Sequence, residues 1–149
     1  SGALCLAEAR KAVGPSGQLL ALDVSRKALD ALSSIGLVDC PIECDAKRAV
    51  DVLSAVSKAT KSHLPDLVIN CSSVPDTEMA SILSVRDGGT VIFFSMATSF
   101  TAAALGAEGV GKDVTMLVGN GYAPGHADLT LQLLRENAGL RQLFESRYC

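Results

Sequence analysis

Short apolar runs alternate along this chain with segments whose apolar residues recur at helical spacing, and this alternation is the strongest constraint on the fold. The runs "LLAL", "LVI", "TVIFF" and "VTMLV" are nearly unbroken, which is typical of strands that are covered on both faces. Strands separated by helices need crossover connections, and such connections produce parallel sheets. The pattern therefore predicts an α/β fold, a parallel sheet with helices on both faces.

The order of the predicted elements is that of a doubly wound, Rossmann-type domain in which the first strand is lacking. Five strands are predicted, at "QLLALDV", "PIECDA", "DLVINC", "TVIFFSM" and "VTMLVG". Helices are predicted over 2–13, from a cap at Ser25 to Gly36, over 48–60, from Pro75 to Gly88, and in "APGHADLTLQLLREN" and "LRQLFESRY". A small-residue loop is predicted at "ATSFTAAALGAEGVGKD". We expect residues 1–149 to form one domain.

The composition narrows the classes of partner. The chain has a formal net charge of −3, and its 13 Lys and Arg residues form no basic run. It has no Trp and only six Phe and Tyr, so it lacks a stacking platform for nucleic acid. No apolar run reaches the roughly 20 residues of a membrane span. We expect neither a nucleic acid nor a membrane as partner, and a cytoplasmic location.

Five cysteines stand at irregular spacing, with no CxxC pair. An odd number in apolar or strand-like surroundings is typical of reduced, mostly buried thiols. Cys40 and Cys44, with only His63 and His126 elsewhere, make a poor ligand set for zinc. We expect no metal site.

Asp23 ends the first predicted strand, and parallel sheets bind ligands at the carboxyl ends of their strands. A carboxylate there accepts hydrogen bonds from both ribose hydroxyls of an adenosine and repels a 2′-phosphate, which favours NAD. Gly2 lies 21 residues earlier, a spacing that suits the last glycine of the dinucleotide fingerprint GxGxxG. The alternative is that Asp23 only caps the helix that follows.

The other strand ends carry small and polar residues that suit the same ligand. Asp45 can lie near an adenine, or it can form a turn. Ser95 and Met96 end the fourth predicted strand, where a nicotinamide ring would lie. Asn120 and Gly121 follow the last strand in "GNGY", which can let backbone approach a ligand or make a simple tight turn.

Two further residues are candidates for proton transfer or for binding an amine. Glu108 lies in the predicted loop, where its carboxylate can act on a ligand or merely be solvated. His126 can shuttle a proton or begin a helix, and we favour the helix because no carboxylate partner is evident. The sequence has no GxSxG, P-loop or HExxH motif, so hydrolases, phosphotransferases and metalloproteases lack support.

The element order, "DVSRKALDAL" after the first predicted strand and "KDVTMLVGNGYAPGHADLTLQLLRE" near the end resemble the cofactor domain of the medium-chain dehydrogenases, relatives of alcohol dehydrogenase. Within that family, "DLVINCSSVPDTEM" and "FFSMATSFTAAALGAEG" are similar to diamino-acid dehydrogenases of lysine fermentation. The resemblance covers almost the whole chain.

This resemblance implies an NAD-dependent oxidoreductase that acts on a CH–NH2 group of a small diamino-acid substrate. NAD takes a hydride from the carbon that bears the amine, and water releases ammonia. The cofactor contacts that carry over are Gly2, Asp23, Ser72, Ser95 and Asn120. Glu108 and Glu78 are the candidates for contact with the diamine, because their charge suits it.

The family also has an N-terminal catalytic domain and two earlier fingerprint glycines, none of which is in this sequence. We therefore expect residues 1–149 to be a dinucleotide-binding domain that is present as a fragment and is inactive alone. We expect its unpaired strand edges to favour a homodimer. Two alternatives stay open. An S-adenosylmethionine-dependent methyltransferase shares the parallel sheet and the acid, and a non-catalytic partner module would keep the fold without binding a cofactor.

Overall fold

The computed structural model describes residues 1–119 and 123–148. Its helices are α1 (Gly2–Val13), α2 (Arg26–Ser34), α3 (Ala49–Ala59), α4 (Glu78–Ser84), α5 (Phe100–Gly109), α6 (His126–Glu136) and α7 (Ala138–Tyr148). Its strands are β1 (Leu20–Asp23), β2 (Cys40–Glu43), β3 (Leu67–Asn70), β4 (Gly89–Phe93) and β5 (Val114–Val118). All pairs between these strands are parallel, and helices surround them. The predicted α/β class is confirmed.

The five strands lie in two sheets, and each sheet belongs to one of two compact units. The first unit contains Ser1–Glu43 with α6 and α7, and the second contains residues 44–119. None of the helices in the described part of the chain is long and apolar enough to cross a membrane.

In the first unit, β1 and β2 pair so that Leu20 lies opposite Cys40 and Asp23 opposite Glu43. Its core is formed by helix side chains and the segment before β2: Ala7, Leu37, Val38, Leu133 and Leu140. Burial of such apolar surface is the main stabilising contribution to the unit.

The side chain of Asp39, which precedes β2, connects this segment to α1 and to the residue before β1. The backbone N–H of Leu19 donates to Asp39 Oδ2 at 2.7 Å, and Arg10 Nη2 donates to the same oxygen at 2.6 Å. The hydrogen bond from Leu19 and then that from Arg10 hold the pKa of the Asp39 carboxyl below its usual value. The carboxylate thereby ties the start of β1 to α1.

In the second unit, β4 lies between β3 and β5. The core side chains come from α4, β4 and α5: Ile82, Val85, Val91, Phe93, Ala103 and Ala107. Lys112 connects the segment before β5 to α4, because its Nζ donates to the carbonyl oxygen of Leu83 at 2.7 Å. Burial lowers the pKa of Lys112.

The predicted helix signals are confirmed in the first unit. Ser25 caps α2, since its Oγ accepts a hydrogen bond from the N–H of Ala28 at 3.3 Å. Gly14 follows α1 with φ +66° and Gly36 follows α2 with φ +73°. Those angles favour glycine, as expected of residues that end helices.

The predicted loop at 97–113 is wrong over Phe100–Gly109, which form α5. Ser99 caps this helix by accepting a hydrogen bond from the N–H of Ala102, and alanines have the highest helix propensity. Gly106 is not a loop signal here, because an added Cβ would collide with Met79 Sδ. Its missing side chain lets α5 approach α4 closely.

Two further predictions need correction in extent. The helix expected from Pro75 to Gly88 spans only Glu78–Ser84, because Val85 adopts an extended conformation. The thiols expected to be mostly buried are half-buried, at Cys5, Cys40, Cys44 and Cys71. Cys149 lies outside the described residues.

Candidate functional site

The carboxyl ends of the three strands in the second unit meet at one edge of their sheet. The register places Asn70 opposite Phe93 and Phe93 opposite Val118, so the last residues of β3, β4 and β5 form one row. Ligands of parallel α/β sheets bind at this end of the strands. The residues that follow the row are therefore the candidates for ligand contacts.

An open cleft of about 170 Å³ lies at the ends of β4 and β5. It is lined by Ser95, Met96, Thr98, Phe100, Val118 and Gly119. The structure thus places Ser95 and Met96, both predicted cofactor contacts, in the wall of one cleft. Met96 is 91 % exposed and Phe100 is 58 % exposed, so the rim offers apolar surface to a ligand.

The backbone after β4 is fixed by a short network. Phe94 N–H donates to the carbonyl of Asn70 at 3.0 Å, and Gly119 N–H donates to that of Phe93 at 2.9 Å. Ser95 Oγ accepts a hydrogen bond from the N–H of Ala97 at 3.1 Å. The Ser95 hydroxyl therefore shapes the turn that forms the cleft wall.

A buried amide organises the end of β3. Asn70 Nδ2 donates to Thr77 Oγ1 at 2.9 Å and to Ser81 Oγ at 3.0 Å. Asn70 Oδ1 accepts a hydrogen bond from the N–H of Ser72 at 3.0 Å, and Ser72 Oγ accepts one from Val74 at 3.2 Å. Ser72, a predicted cofactor contact, thus follows β3 in a turn that Asn70 holds.

The two acids that the resemblance suggests for contact with the diamine differ in their surroundings. Glu78 is 3 % exposed at the start of α4, and its Oε1 accepts a hydrogen bond from the N–H of Ser99 at 2.6 Å. Glu108 is exposed in the last turn of α5 and is not among the residues that line the cleft. The proposed contact of Glu108 with a substrate stays a prediction.

In the first unit, Gly2 begins α1 and Asp23 ends β1. Asp23 is exposed, and its Oδ1 accepts a hydrogen bond from the N–H of Ser25 at 2.8 Å. Within residues 1–119 and 123–148 its Oδ2 has no hydrogen-bond partner. One carboxylate oxygen therefore stabilises the start of α2, and the other remains available to a ligand. The structure is thus compatible with both sequence interpretations, a helix cap and a ribose contact.

Glu43 is a neighbour of Asp23 that sequence reasoning missed. It ends β2 directly opposite Asp23, and both side chains are exposed. Adjacent parallel strands lie about 4.8 Å apart, so the two residues are neighbours in the register and place two negative charges at the same end of the sheet. The sequence did not indicate that Asp23 and Glu43 are paired, because it predicted that β2 continues past Glu43 to Ala46.

The remaining predicted residues lie in a turn, at the start of a helix or outside the described residues. Asp45 Oδ1 accepts a hydrogen bond from Lys47 N–H at 3.0 Å, and the Asp45 carbonyl accepts one from Arg48, as the turn alternative expects. His126 is the first residue of α6. Asn120 and Gly121 lie outside the described residues. Across the described ranges no three His, Cys, Asp or Glu side chains gather as a metal site.

Comparison with known proteins gives two similar sequences, whereas no protein-family model matches this chain. The protein named L-erythro-3,5-diaminohexanoate dehydrogenase in Acetoanaerobium sticklandii is 52 % identical over 148 residues. The protein of the same name in Fusobacterium nucleatum subsp. nucleatum is 48 % identical over 148 residues. Each alignment covers 99 % of this chain and 43 % of the relative, so the chain spans less than half the length of these relatives.

Proposed function

We propose that this chain is the NAD-binding part of a dehydrogenase that acts on L-erythro-3,5-diaminohexanoate. The observation that carries the proposal is the identity of about one residue in two along the whole chain with two proteins of that name. The parallel strands with polar residues at their carboxyl ends support a dinucleotide cofactor. On this proposal the protein is an oxidoreductase of the medium-chain dehydrogenase class and serves lysine degradation in the cytoplasm.

The first unit supports NAD as the cofactor. Asp23 offers an available carboxylate oxygen at the end of a parallel strand, which suits the ribose hydroxyls of an adenosine. Glu43 adds a second negative charge at the same sheet end. Two carboxylates repel a 2′-phosphate, so this end of β1 and β2 favours NAD over NADP.

The second unit supports a site for one ring of the cofactor. The cleft of about 170 Å³ is smaller than the roughly 300–1,000 Å³ of a complete ligand pocket. It therefore suits a single flat ring better than a whole dinucleotide. Met96 and Phe100 supply apolar contacts for such a ring, and Ser95 and Thr98 supply hydroxyl groups.

The proposed reaction is an oxidative deamination to 5-amino-3-oxohexanoate and ammonia. A bound NAD would supply the hydride acceptor for the carbon that bears the 3-amino group, and one water would be consumed as ammonia leaves, with NADH and a proton as the other products. The residues of the cleft orient the nicotinamide ring, because the cleft wall limits its position. In the first unit, Asp23 binds the ribose hydroxyls through its available carboxylate oxygen. Both roles are binding roles, and no side chain of the described cleft is an acid or a base.

Titration of the full-length protein with NADH tests the proposal. We expect NADH fluorescence to change on binding, and the diamine to produce NADH from NAD. An Asp23→Ala variant should bind NADH at least about tenfold more weakly, since two hydrogen bonds to a charged group are lost. Binding of S-adenosylmethionine with no response to NADH would favour a methyltransferase, and binding of neither would favour a non-catalytic module.

A further inference from the structure

The helix that forms one wall of the cleft begins with an incomplete cap. In a complete capping box the N-cap serine accepts a hydrogen bond from the third helical residue, and an acid at that residue accepts the N-cap N–H. Ser99 makes the first bond, to the N–H of Ala102 at 3.2 Å. Ala102 has no side chain that can make the second. The sequence of α5 therefore leaves the N–H of Ser99 without its usual partner.

Glu78 supplies this partner from another helix. Its Oε1 accepts a hydrogen bond from the N–H of Ser99 at 2.6 Å, although the two residues are 21 positions apart. Glu78 is the first residue of α4 and is 3 % exposed. Burying a carboxylate costs free energy unless it is hydrogen-bonded, so this bond stabilises Glu78 as well as the N–H of Ser99.

The bond joins the start of α4 to the segment after β4, and both follow the carboxyl ends of neighbouring strands. Glu78 follows the turn after β3, which Asn70 holds through Thr77 and Ser81. Ser99 closes the segment after β4, which contributes Ser95, Met96 and Thr98 to the cleft. Among residues 1–119 and 123–148, the other hydrogen bonds of that segment are short-range or lie at its beginning, at Phe94. Glu78 thus fixes its far end.

We propose that Glu78 is a positioning residue: it completes the cap of α5 from α4 and thereby holds the cleft wall 95–100 in the conformation that receives the ring of the cofactor. The ligand part of this inference rests on the proposed function, whereas the capping part does not. Glu78 acts through the backbone of Ser99, so it differs from the substrate-contacting acid that the sequence suggests.

The test compares Glu78→Gln and Glu78→Ala in the full-length protein. Glutamine keeps an oxygen that can accept the N–H of Ser99, whereas alanine removes it. We expect Glu78→Ala to reduce the hydrogen-exchange protection of the Ser99 amide by about tenfold or more, and Glu78→Gln to restore most of it. The Kd for NADH should rise in Glu78→Ala and be largely rescued in Glu78→Gln. Thr101→Ala, at an exposed position in the first turn of α5, is the matched control.

The outcomes separate this inference from the proposed function. If the Ser99 amide keeps its protection in Glu78→Ala, the capping role is wrong. If Glu78→Gln loses kcat as severely as Glu78→Ala while the Kd for NADH is unchanged in both, Glu78 acts on the reacting atoms and the positioning role is wrong. If the wild-type protein does not bind NADH but the Ser99 amide responds as expected, the capping role holds and the proposed function fails.

Discussion

Asp23 and Glu43 lie opposite each other in the register at the ends of β1 and β2, and their two negative charges predict a preference for NAD over NADP. A 2′-phosphate carries nearly two negative charges at neutral pH and is repelled by both. We expect Asp23→Asn to lower the Kd for NADP relative to that for NAD by about tenfold, and Glu43→Gln by about threefold. Fluorescence titration with NADH and NADPH measures both values.

The control for this change is Glu145→Gln, which removes an exposed charge from α7. It should leave the ratio of the two dissociation constants as it is in the wild type. An unchanged ratio in Asp23→Asn, in a protein that still binds NADH, would contradict a ribose site at Asp23.

Asp39 makes the stability of the first unit depend on pH. Its pKa is lower in the folded chain than the 3.8 of a free side chain, because the N–H of Leu19 and the guanidinium of Arg10 favour the carboxylate. The resulting stabilisation is present above pH 3.8 and is lost as the pH falls through the folded-state pKa. We expect Asp39→Asn to lower the free energy of unfolding by about 1 kcal/mol at neutral pH, a value discounted for the partial exposure of this carboxylate.

Urea denaturation between neutral pH and pH 3 tests the sign of the effect. The difference between wild type and Asp39→Asn should begin to shrink as the pH falls toward 3.8, because the unfolded wild-type chain then binds a proton at Asp39 more readily than the folded chain does. Asp30→Asn is a suitable control, because it removes only the exposed ion pair with Arg26. A difference that stays constant down to pH 3 would assign the effect to packing rather than to charge.

At the scale of the elements, the junction between α4 and β4 depends on one glycine. A Cβ at Gly89 would lie 2.6 Å from Val85 Cγ2, 2.8 Å from the carbonyl oxygen of Arg86 and 3.0 Å from that of Asp66. Two of these neighbours are backbone atoms and cannot turn aside. We therefore expect Gly89→Ala to destabilise the protein by about 1–3 kcal/mol in chemical denaturation.

Gly109 provides the opposite case in the same unit. It ends α5, and a Cβ there would meet nothing within 4 Å. Gly109→Ala should stabilise by up to about 1 kcal/mol through helix propensity alone. Equal effects of the two substitutions would mean that the close contacts at Gly89 relax at no cost.

The elements differ in how far the sequence predicts them. Strands such as β4 are predictable because continuous apolar and β-branched runs have few alternatives. α5 was missed because Gly106 and Gly109 suggest a loop, and only the packing of Gly106 against Met79 explains the first of them. The bond from Glu78 to Ser99 spans 21 residues and leaves no local signal, so the position of the acid was predictable but its role was not.

At the scale of the whole molecule, the strand order leaves sheet edges without a partner. Within the described residues β1 pairs only with β2, and β3 pairs only with β4. Unpaired N–H and C=O groups along a strand are a template for pairing with a second chain. The homodimer expected from the sequence stays a prediction, and its first candidate contact is the edge of β3 that pairs with no other described strand.

Light scattering of the 149-residue chain over a range of concentrations tests this association, which we expect to strengthen with concentration. Leu67→Lys on β3 and Leu117→Lys on β5 are matched variants, because the two leucines are 47 % and 50 % exposed on the two edge strands of one sheet. A charged side chain on an edge strand opposes pairing there. If association occurs through β3, only Leu67→Lys should weaken it. Loss of association in Leu117→Lys alone would assign the contact to β5, and a monomer at every concentration would contradict the prediction.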